Sequence, residues 1–417
     1  MIDRAAGVGR GARVKHSSMP RCSYVNCVMS IIFLDRNKLS PGYVPEVLPH
    51  RSAQMQTLRS VFIDSIRPGK ESLPKAVQVI GGVGSGKTCT VTRFGEELQS
   101  EARKNGLQLR HVYVNCKLEG AKRILLYRNM LEKLSPGFPS RSLSSEEMLH
   151  QLTRLLAERR MYLLVTVDEI DYFCKKSDEP IVYDLTRLNE IYPGEPCRVI
   201  GTIFISRDTS FHSHLDPSEV SSLGRTYVEF ERYDSSKVKD ILDLRVAEAF
   251  HRGVIEEESV EYVSDVVSRE PISGDIRVAL DILLYAGIRA ETEGCNTVRP
   301  EHFRFVLRQT HPYITSEDIL RISENGRLVL LATIRALLAN RSAYVDLGDV
   351  RDFYHIVCEE HQVQPVQNME NEMQDLIDRG LVTMKSLTQF GIVGATATDL
   401  DQFLSGLGQR IRDDIKT

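Results

Sequence analysis

Eight residues, Gly81-Gly82-Val83-Gly84-Ser85-Gly86-Lys87-Thr88, stand between an apolar run, Ala76–Ile80, and a helical pattern that opens at Lys87. They satisfy G-x-x-x-x-G-K-[ST] in the strand–loop–helix context that this pattern requires. The glycines let backbone N–H groups wrap a phosphate without Cβ clashes. The helix amino end adds a favourable dipole. Lys87 brings a positive charge to the β and γ oxygens, and the Thr88 hydroxyl is a ligand for Mg²⁺. Gly82, Val83, Gly84, Ser85 and Gly86 thus form the cradle. A second element agrees with it: the apolar run Leu163–Val167 ends in Asp168-Glu169. Asp168 is placed to hold Mg²⁺ through its water shell, and Glu169 to polarise an attacking water as general base. Asp171 reads as a cap of the next turn.

Five short apolar runs alternate with helical patterns: Ala76–Ile80, Arg110–Asn115, Tyr162–Val167, Arg198–Ile205 and Thr226–Phe230. Continuous apolar strands separated by helices predict a five-stranded parallel sheet covered on both faces. From Ser235 the strand signals stop. Four helices over Ser235–Arg252, Glu257–Ser268, Asp275–Glu293 and Pro300–Thr310 read as a small all-α subdomain. Beyond His311-Pro312 come helices over Glu317–Leu338, Asp346–His361 and Val366–Arg379, then strands Leu381–Met384 and Ile392–Val393. Three helices and a hairpin suggest a winged helix. The expected division is a tail over 1–35, an α/β core over 36–234, a helical lid over 235–315 and a winged-helix domain over 316–417.

Charge limits the function classes. The 417 residues carry 53 Lys and Arg against 57 Asp and Glu, a net of −4, which excludes a uniformly basic nucleic-acid coat. Eight cysteines in 417 residues are too sparse for a disulfide scaffold, and the lack of close-spaced pairs of pairs makes zinc knuckles unexpected. No apolar stretch reaches 18 residues, so no membrane span is expected and the default expectation is a soluble intracellular protein. Residues 1–28 lack hydrophobic periodicity and read as disordered, or as preceding a true start at Met29; a signal peptide is the weaker reading. Residues 1–38 hold seven Lys and Arg against two Asp and Glu, whereas residues 324–417 hold nine against fourteen.

Four stretches together resemble the AAA+ ATPases, and among them the archaeal replication initiators of the origin-recognition-complex and CDC type. They are Ser40–Arg51 (SPGYVPEVLPHR), the GGVGSGKT loop, Asp168–Asp171 (DEID) and Gly274–Leu283 (GDIRVALDIL). The resemblance implies a P-loop ATPase core with a lid and a winged helix, holding ATP or ADP with Mg²⁺. It implies that Val44, Pro45, His50 and Arg51 line the adenine pocket and that Arg277 reaches from the lid to the γ-phosphate, a task suited to a guanidinium fork. Cys89, after the loop, and Tyr233, where core passes into lid, complete the expected nucleotide contacts. Two departures from the family pattern weigh against fast hydrolysis. Ser206-Arg207-Asp208 has Arg207 where the family usually has the asparagine that positions the lytic water; arginine donates but cannot accept, so Arg207 is a candidate to bind the γ-phosphate instead. Leu215-Asp216-Pro217-Ser218 ends in Ser218 where many relatives have arginine, with Arg225 nearby as a substitute.

The implied role is an ATP-dependent initiator that grips double-stranded origin DNA and helps recruit the replicative helicase, with slow hydrolysis as the reset. Candidate DNA contacts are Lys122 and Arg123, in a cluster with Lys117 and Arg128, then Gln367 at the reading helix and Lys385 in the turn after Leu381–Met384. The reading helix is an awkward one: Val366–Asp378 holds four acidic residues and no base, although Gln367, Asn368 and Asn371 suit base edges. Hence the rival reading, a regulatory paralogue that binds nucleotide, contacts DNA weakly, and acts through other initiators or a helicase.

Overall fold

The computed structural model describes residues 30–67, 73–191, 198–310, 314–366 and 368–416. Strands β1 (Lys75–Gly81), β2 (Gln108–Asn115), β3 (Met161–Asp168), β4 (Val199–Ser206) and β5 (Tyr227–Phe230) form one sheet in the order β2-β3-β4-β1-β5. All pairings are parallel. Side-chain alternation splits each strand between two cores. Leu164 of β3 packs with Leu58 and Phe62 of helix Ser52–Phe62 and with Val91, Phe94 and Leu98 of helix Lys87–Lys104. Leu163, Val165 and Val167 face the opposite side, against helices Arg123–Leu134, Ser145–Glu158 and Ile170–Lys176. Helix Ser145–Glu158 starts at a capping box made by Ser144 and Glu147. Parallel strands place all five carboxyl ends on one edge, and the phosphate loop leaves β1 there.

His111 on β2 is half-buried, its ring packed against Gly95, where a methyl group would overlap the imidazole. Its Nε2 lies 2.8 Å from Thr166 Oγ1. Burial pushes its pKa down to about 4. The folded value lies below the unfolded one, so the unfolded chain binds more protons between roughly pH 6.5 and 4. Stability held above pH 6.5 is therefore lost on acidification through that window, by up to about 3 kcal/mol. Urea titrations at pH 7 and pH 4.5 are expected to show this loss, and His111→Gln to reduce it.

The lid comprises helices Ser235–Ala249, Glu257–Ser268, Ile276–Thr292 and Pro300–Thr310. Residues 30–35 pack into it, contrary to their expected place in a loose tail. Ile32 and Phe33 are buried in the lid core, Phe33 fills the notch left by Gly287, and the Leu34 and Asp35 amides donate to the Ala249 carbonyl. Ile32 and Phe33 supply this burial, whereas Ile31 and Leu34 are exposed; residues 1–29 lie outside the described residues.

The winged helix has helices Ser316–Leu320, Glu324–Asn340, Leu347–His361 and Met369–Asp378. The single helix expected over Glu317–Leu338 is broken because Ser323 caps a new start, accepting from the Gly326 amide at 2.8 Å. Strands β6 (Val345–Asp346), β7 (Thr383–Met384) and β8 (Gln389–Gly391) form an antiparallel sheet ordered β6-β8-β7. A further helix, Ala397–Lys416, closes the domain. This domain is docked on the lid: Arg304, 2% exposed, donates to the carbonyls of Ser342 at 3.1 Å and Ala343 at 2.9 Å. Tyr262 OH donates to the Ile392 carbonyl, and Tyr344 OH to Asp265. Among the described residues no helix is long and apolar enough to cross a membrane.

Candidate functional site

At the carboxyl edge of the sheet a cleft of about 700 Å³ separates core from lid. That volume is in the range of small-molecule sites. Three walls make it. The Ser40–Pro49 leader supplies one, including Val44 and Pro45; the phosphate loop and Thr88-Cys89 supply the second; lid residues Ile241, Leu244, Arg245, Glu248, Ile276 and Arg277 supply the third.

Gly84 and Gly86 adopt φ of 69° and 85°, where only glycine is unstrained. A methyl at Gly84 would overlap Asp275 at the amino end of the lid helix, and one at Gly86 would come 2.9 Å from Tyr233 OH. The loop is thus closely packed on the lid, with the Ile276 amide 3.4 Å from the Gly84 carbonyl. Helix Lys87–Lys104 has no side-chain N-cap, so its first amides remain available to an anion. Lys87 Nζ donates to the carbonyls of Gly81 at 2.7 Å and Gly82 at 2.8 Å. Burial lowers the pKa of this ammonium, and Arg277 is near enough to add to the effect. Gly82 and Val83 are not in the cleft wall, and Val83 is exposed.

Asp168 is the hub of the polar end. It is 5% exposed; its Oδ2 accepts from Thr88 Oγ1 at 2.7 Å and from Tyr113 OH at 2.8 Å, and its Oδ1 accepts from the Glu169 amide at 2.8 Å. Hydroxyl and carboxylate oxygens gathered this way suit a hard divalent cation, and the free amides with Lys87 suit phosphate. Glu169, at a left-handed φ of 56°, is paired with Lys117 Nζ at 2.5 Å and faces Arg207 Nη2 at 3.9 Å. Arg207 therefore meets the expected base rather than forming part of the cleft wall. Tyr113 and the partnership of Lys117 with Glu169 escape sequence reasoning, because neither residue belongs to a motif.

Arg51 lines the cleft beside the phosphate loop. It is buried, donates to the Ser85 carbonyl at 2.7 Å, and lies over the rings of Tyr233 and Phe230. It braces the phosphate loop from behind, and burial lowers its pKa. His50 is outside the wall and bonds Asp240 at 2.8 Å. Cys89 and Tyr233 line the cleft, and burial raises the Cys89 thiol. Asp171 makes no cap bond; it is buried with Oδ1 unpartnered. Ser218 bonds Asp216 as part of a helix cap, whereas Arg225 is exposed.

The expected DNA contacts fare unequally. Arg123 is engaged by Asp184 at 3.1 Å and Glu146 at 2.5 Å. Lys385 is paired with Glu261 and lies 5.0 Å from the Tyr344 ring centre. Both cations would have to exchange a carboxylate for a phosphate. Lys122 is exposed, and Arg128 Nε is buried without a partner. Asn368 and Asn371 are exposed on the reading helix; Gln367 lies outside the described residues. One trio elsewhere, Glu293, Cys295 and His302, has metal-ligand types close together. There His302 Nδ1 accepts from the Arg299 amide, which leaves the proton on Nε2, facing Glu293 at 3.0 Å. Nε2 then has no lone pair for a cation.

Residues 239–306 match the family described as the Cdc6 AAA+ ATPase-type lid domain, and residues 71–208 match the AAA domain family. An ORC1-type DNA replication protein of Pyrococcus abyssi is 30% identical over 367 residues, spanning 87% of this chain and 83% of that one. The crystal structure of Cdc6p from Pyrobaculum aerophilum superposes with a TM-score of 0.76 at 26% identity, covering 91% of this chain and 99% of that chain. The Aeropyrum pernix ORC1 protein, solved in complex with DNA, gives a TM-score of 0.60 at 27% identity, with 90% and 97% covered.

Proposed function

The chain belongs to the ORC1/Cdc6 family of AAA+ DNA replication initiators, and from that premise we propose that it is a nucleotide-gated, duplex-DNA-binding initiator that helps recruit a replicative helicase. One observation carries this reading: the phosphate loop is packed directly on the lid, at Gly84 against Asp275 and Ile276, while the same lid holds the winged helix through Arg304, Tyr262 and Tyr344. A ligand that reshapes the loop is felt by the lid, and through the lid by the DNA-binding domain. The division into core 36–234, lid 235–315 and winged helix 316–417 is part of this proposal.

ATP is the proposed ligand. The loop amides, Lys87 and Arg277 bind its phosphates, and Val44, Pro45, Cys89 and Tyr233 lie along the remainder of the cleft. Thr88 and Asp168 would hold Mg²⁺, which supplies charge neutralisation at the phosphates. Glu169 is the base, but Lys117 and Arg207 compete for its carboxylate, which supports slow turnover and a switch rather than a motor. Glu169→Gln is expected to retain ATP binding within about twofold and to lower turnover by about 10² or more. A nucleotide titration beside a phosphate-release assay checks both halves. The Aeropyrum pernix ORC1 protein was solved in complex with DNA, which supports a DNA partner here. Affinity for an origin duplex is expected to differ between ATP, ADP and nucleotide-free protein; equal and negligible binding in all three at low salt would reject the reading.

The second reading, a regulatory paralogue acting by protein contact, draws on Lys385 and Arg123 being ion-paired and on the acidic reading helix. A pull-down with other initiators, run beside the DNA titration, separates the two.

A further inference from the structure

The two ion-paired cations leave open where an acidic protein takes hold of phosphate. The amino edge of the sheet, opposite the cleft, offers a place. Arg103 and Lys104 end helix Lys87–Lys104, and Arg110 lies on edge strand β2. Arg160 immediately precedes β3, whose first residue, Met161, is level with Gln108 of β2. By strand alternation Arg110 shares the side of β2 that carries Val112 and Val114, so it projects from the face opposite helix Lys87–Lys104, and the four cations flank this edge on both faces of the sheet. All four cations are exposed, and none makes a side-chain hydrogen bond or ion pair among the described residues.

Their neighbours are different. Arg59 is paired with Glu101, Arg67 with Asp64 and Arg154 with Glu158. Lys75 donates to the Val61 carbonyl, and Arg159 to the Leu134 carbonyl and Ser135. The local carboxylates Glu101 and Glu158 are thus already spent, and among the described residues the charge of the four stands unpaired. A helix carboxyl end favours cations, which accounts for Arg103 and Lys104 but not for Arg110 on a strand. Arg160 is held at a φ of 49°, a left-handed conformation that glycine adopts without strain and that Gly106 adopts after the neighbouring helix. The platform is firm: the Leu107 amide donates to the Ala102 carbonyl, and Asn105 Nδ2 to the Ile66 carbonyl.

We propose that Arg103, Lys104, Arg110 and Arg160 form a sequence-independent contact for the phosphate backbone of duplex DNA, separate from the winged helix. The proposal rests on the DNA-binding reading above. Each phosphate neutralised contributes about 0.9 to the steepness of log affinity against log salt. The combined variant Arg103→Gln, Lys104→Gln, Arg110→Gln, Arg160→Gln is therefore expected to flatten the slope by about 2 or more, and to weaken binding at low salt by about tenfold or more. Its melting temperature and ATP affinity should match the wild type, since the cleft lies at the other edge of the sheet. Lysine at the three arginine positions should restore most of the slope.

Acetylation footprinting of the wild-type protein gives a second readout: duplex should protect Lys104. A folded glutamine variant with an unchanged slope overturns the proposal, as does protection of Lys104 by polyglutamate but not by duplex. Wild-type protein that binds no duplex at any salt overturns instead the reading on which the proposal rests.

Discussion

Lys87→Ala is expected to lower ATP affinity by about 30-fold to several thousandfold, at the upper end abolishing binding in an ordinary titration. The ammonium sits half-buried among the loop carbonyls, bonded to Gly81 and Gly82. Burial already lowers its pKa, and the attraction of Asp168 and Glu169 works against that effect. A phosphate entering the loop offers a stronger, charge-assisted acceptor in the same partly desolvated place. Removing one partner of such a pair costs about 2–5 kcal/mol, or about 30-fold to several thousandfold in affinity. The fold has far less at stake, because Lys87 satisfies only two loop carbonyls that water can reach. Isothermal titration with ATP, paired with a thermal melt, separates the two effects: affinity should collapse while the melting temperature moves by a few degrees. Unchanged affinity would overturn the assignment of the cleft.

The sheet and the helices that flank it are legible in the sequence because their burial is two-sided. A strand such as Leu163–Val167, apolar at almost every position, has few other fates. The phosphate loop is legible because backbone wrapping demands glycine at fixed places, and Gly84 and Gly86 adopt the left-handed conformations that this demand implies. What escapes is set by pairings distant in the chain. Arg51 lines the cleft, but its bond to the Ser85 carbonyl and its stacking on Phe230 and Tyr233, from 34, 179 and 182 residues away, are not visible in the leader sequence. Lys117, Arg123 and Lys385 look like free cations in a linear reading. Folding brings Glu169, Asp184 and Glu261 against them from 52, 61 and 124 residues away. Net charge summed along a chain cannot reveal which cations remain uncompensated; only the pairing does, and it shifts attention from the winged helix to the amino edge of the sheet. The short run Ile31–Leu34 was equally open to misreading, because its partners on the lid, Ala249, Phe250 and Gly287, lie more than two hundred residues further on.

Arg304→Leu is expected to cost about 3–5 kcal/mol, the largest stability loss among the changes considered, and to loosen the winged helix from the lid. An apolar replacement of a buried ion pair can be neutral when both charges leave. Here only one leaves. The Ser342 and Ala343 carbonyls lose their shared donor, and Glu301 loses the guanidinium 3.1 Å away. Tyr262, whose ring centre lies 5.6 Å from the guanidinium carbon, loses a cation on its face while its hydroxyl still holds Ile392. Unsatisfied carbonyls that the leucine would keep dry cost about 1–3 kcal/mol each. Those carbonyls precede Tyr344, which bonds Asp265, so the disturbance falls on the residues that join the two domains. Arg304→Lys should be intermediate, because a single ammonium lacks the planar fork that serves two carbonyls and a carboxylate at once. Calorimetry should show a lower melting temperature and a winged-helix transition that separates from the rest. ATP affinity should remain near wild type, since Arg304 is not in the cleft wall. The dependence of DNA affinity on nucleotide should shrink in parallel, because the lid would no longer carry the winged helix with it; a variant that melts normally and keeps that dependence would show that the junction is held without Arg304.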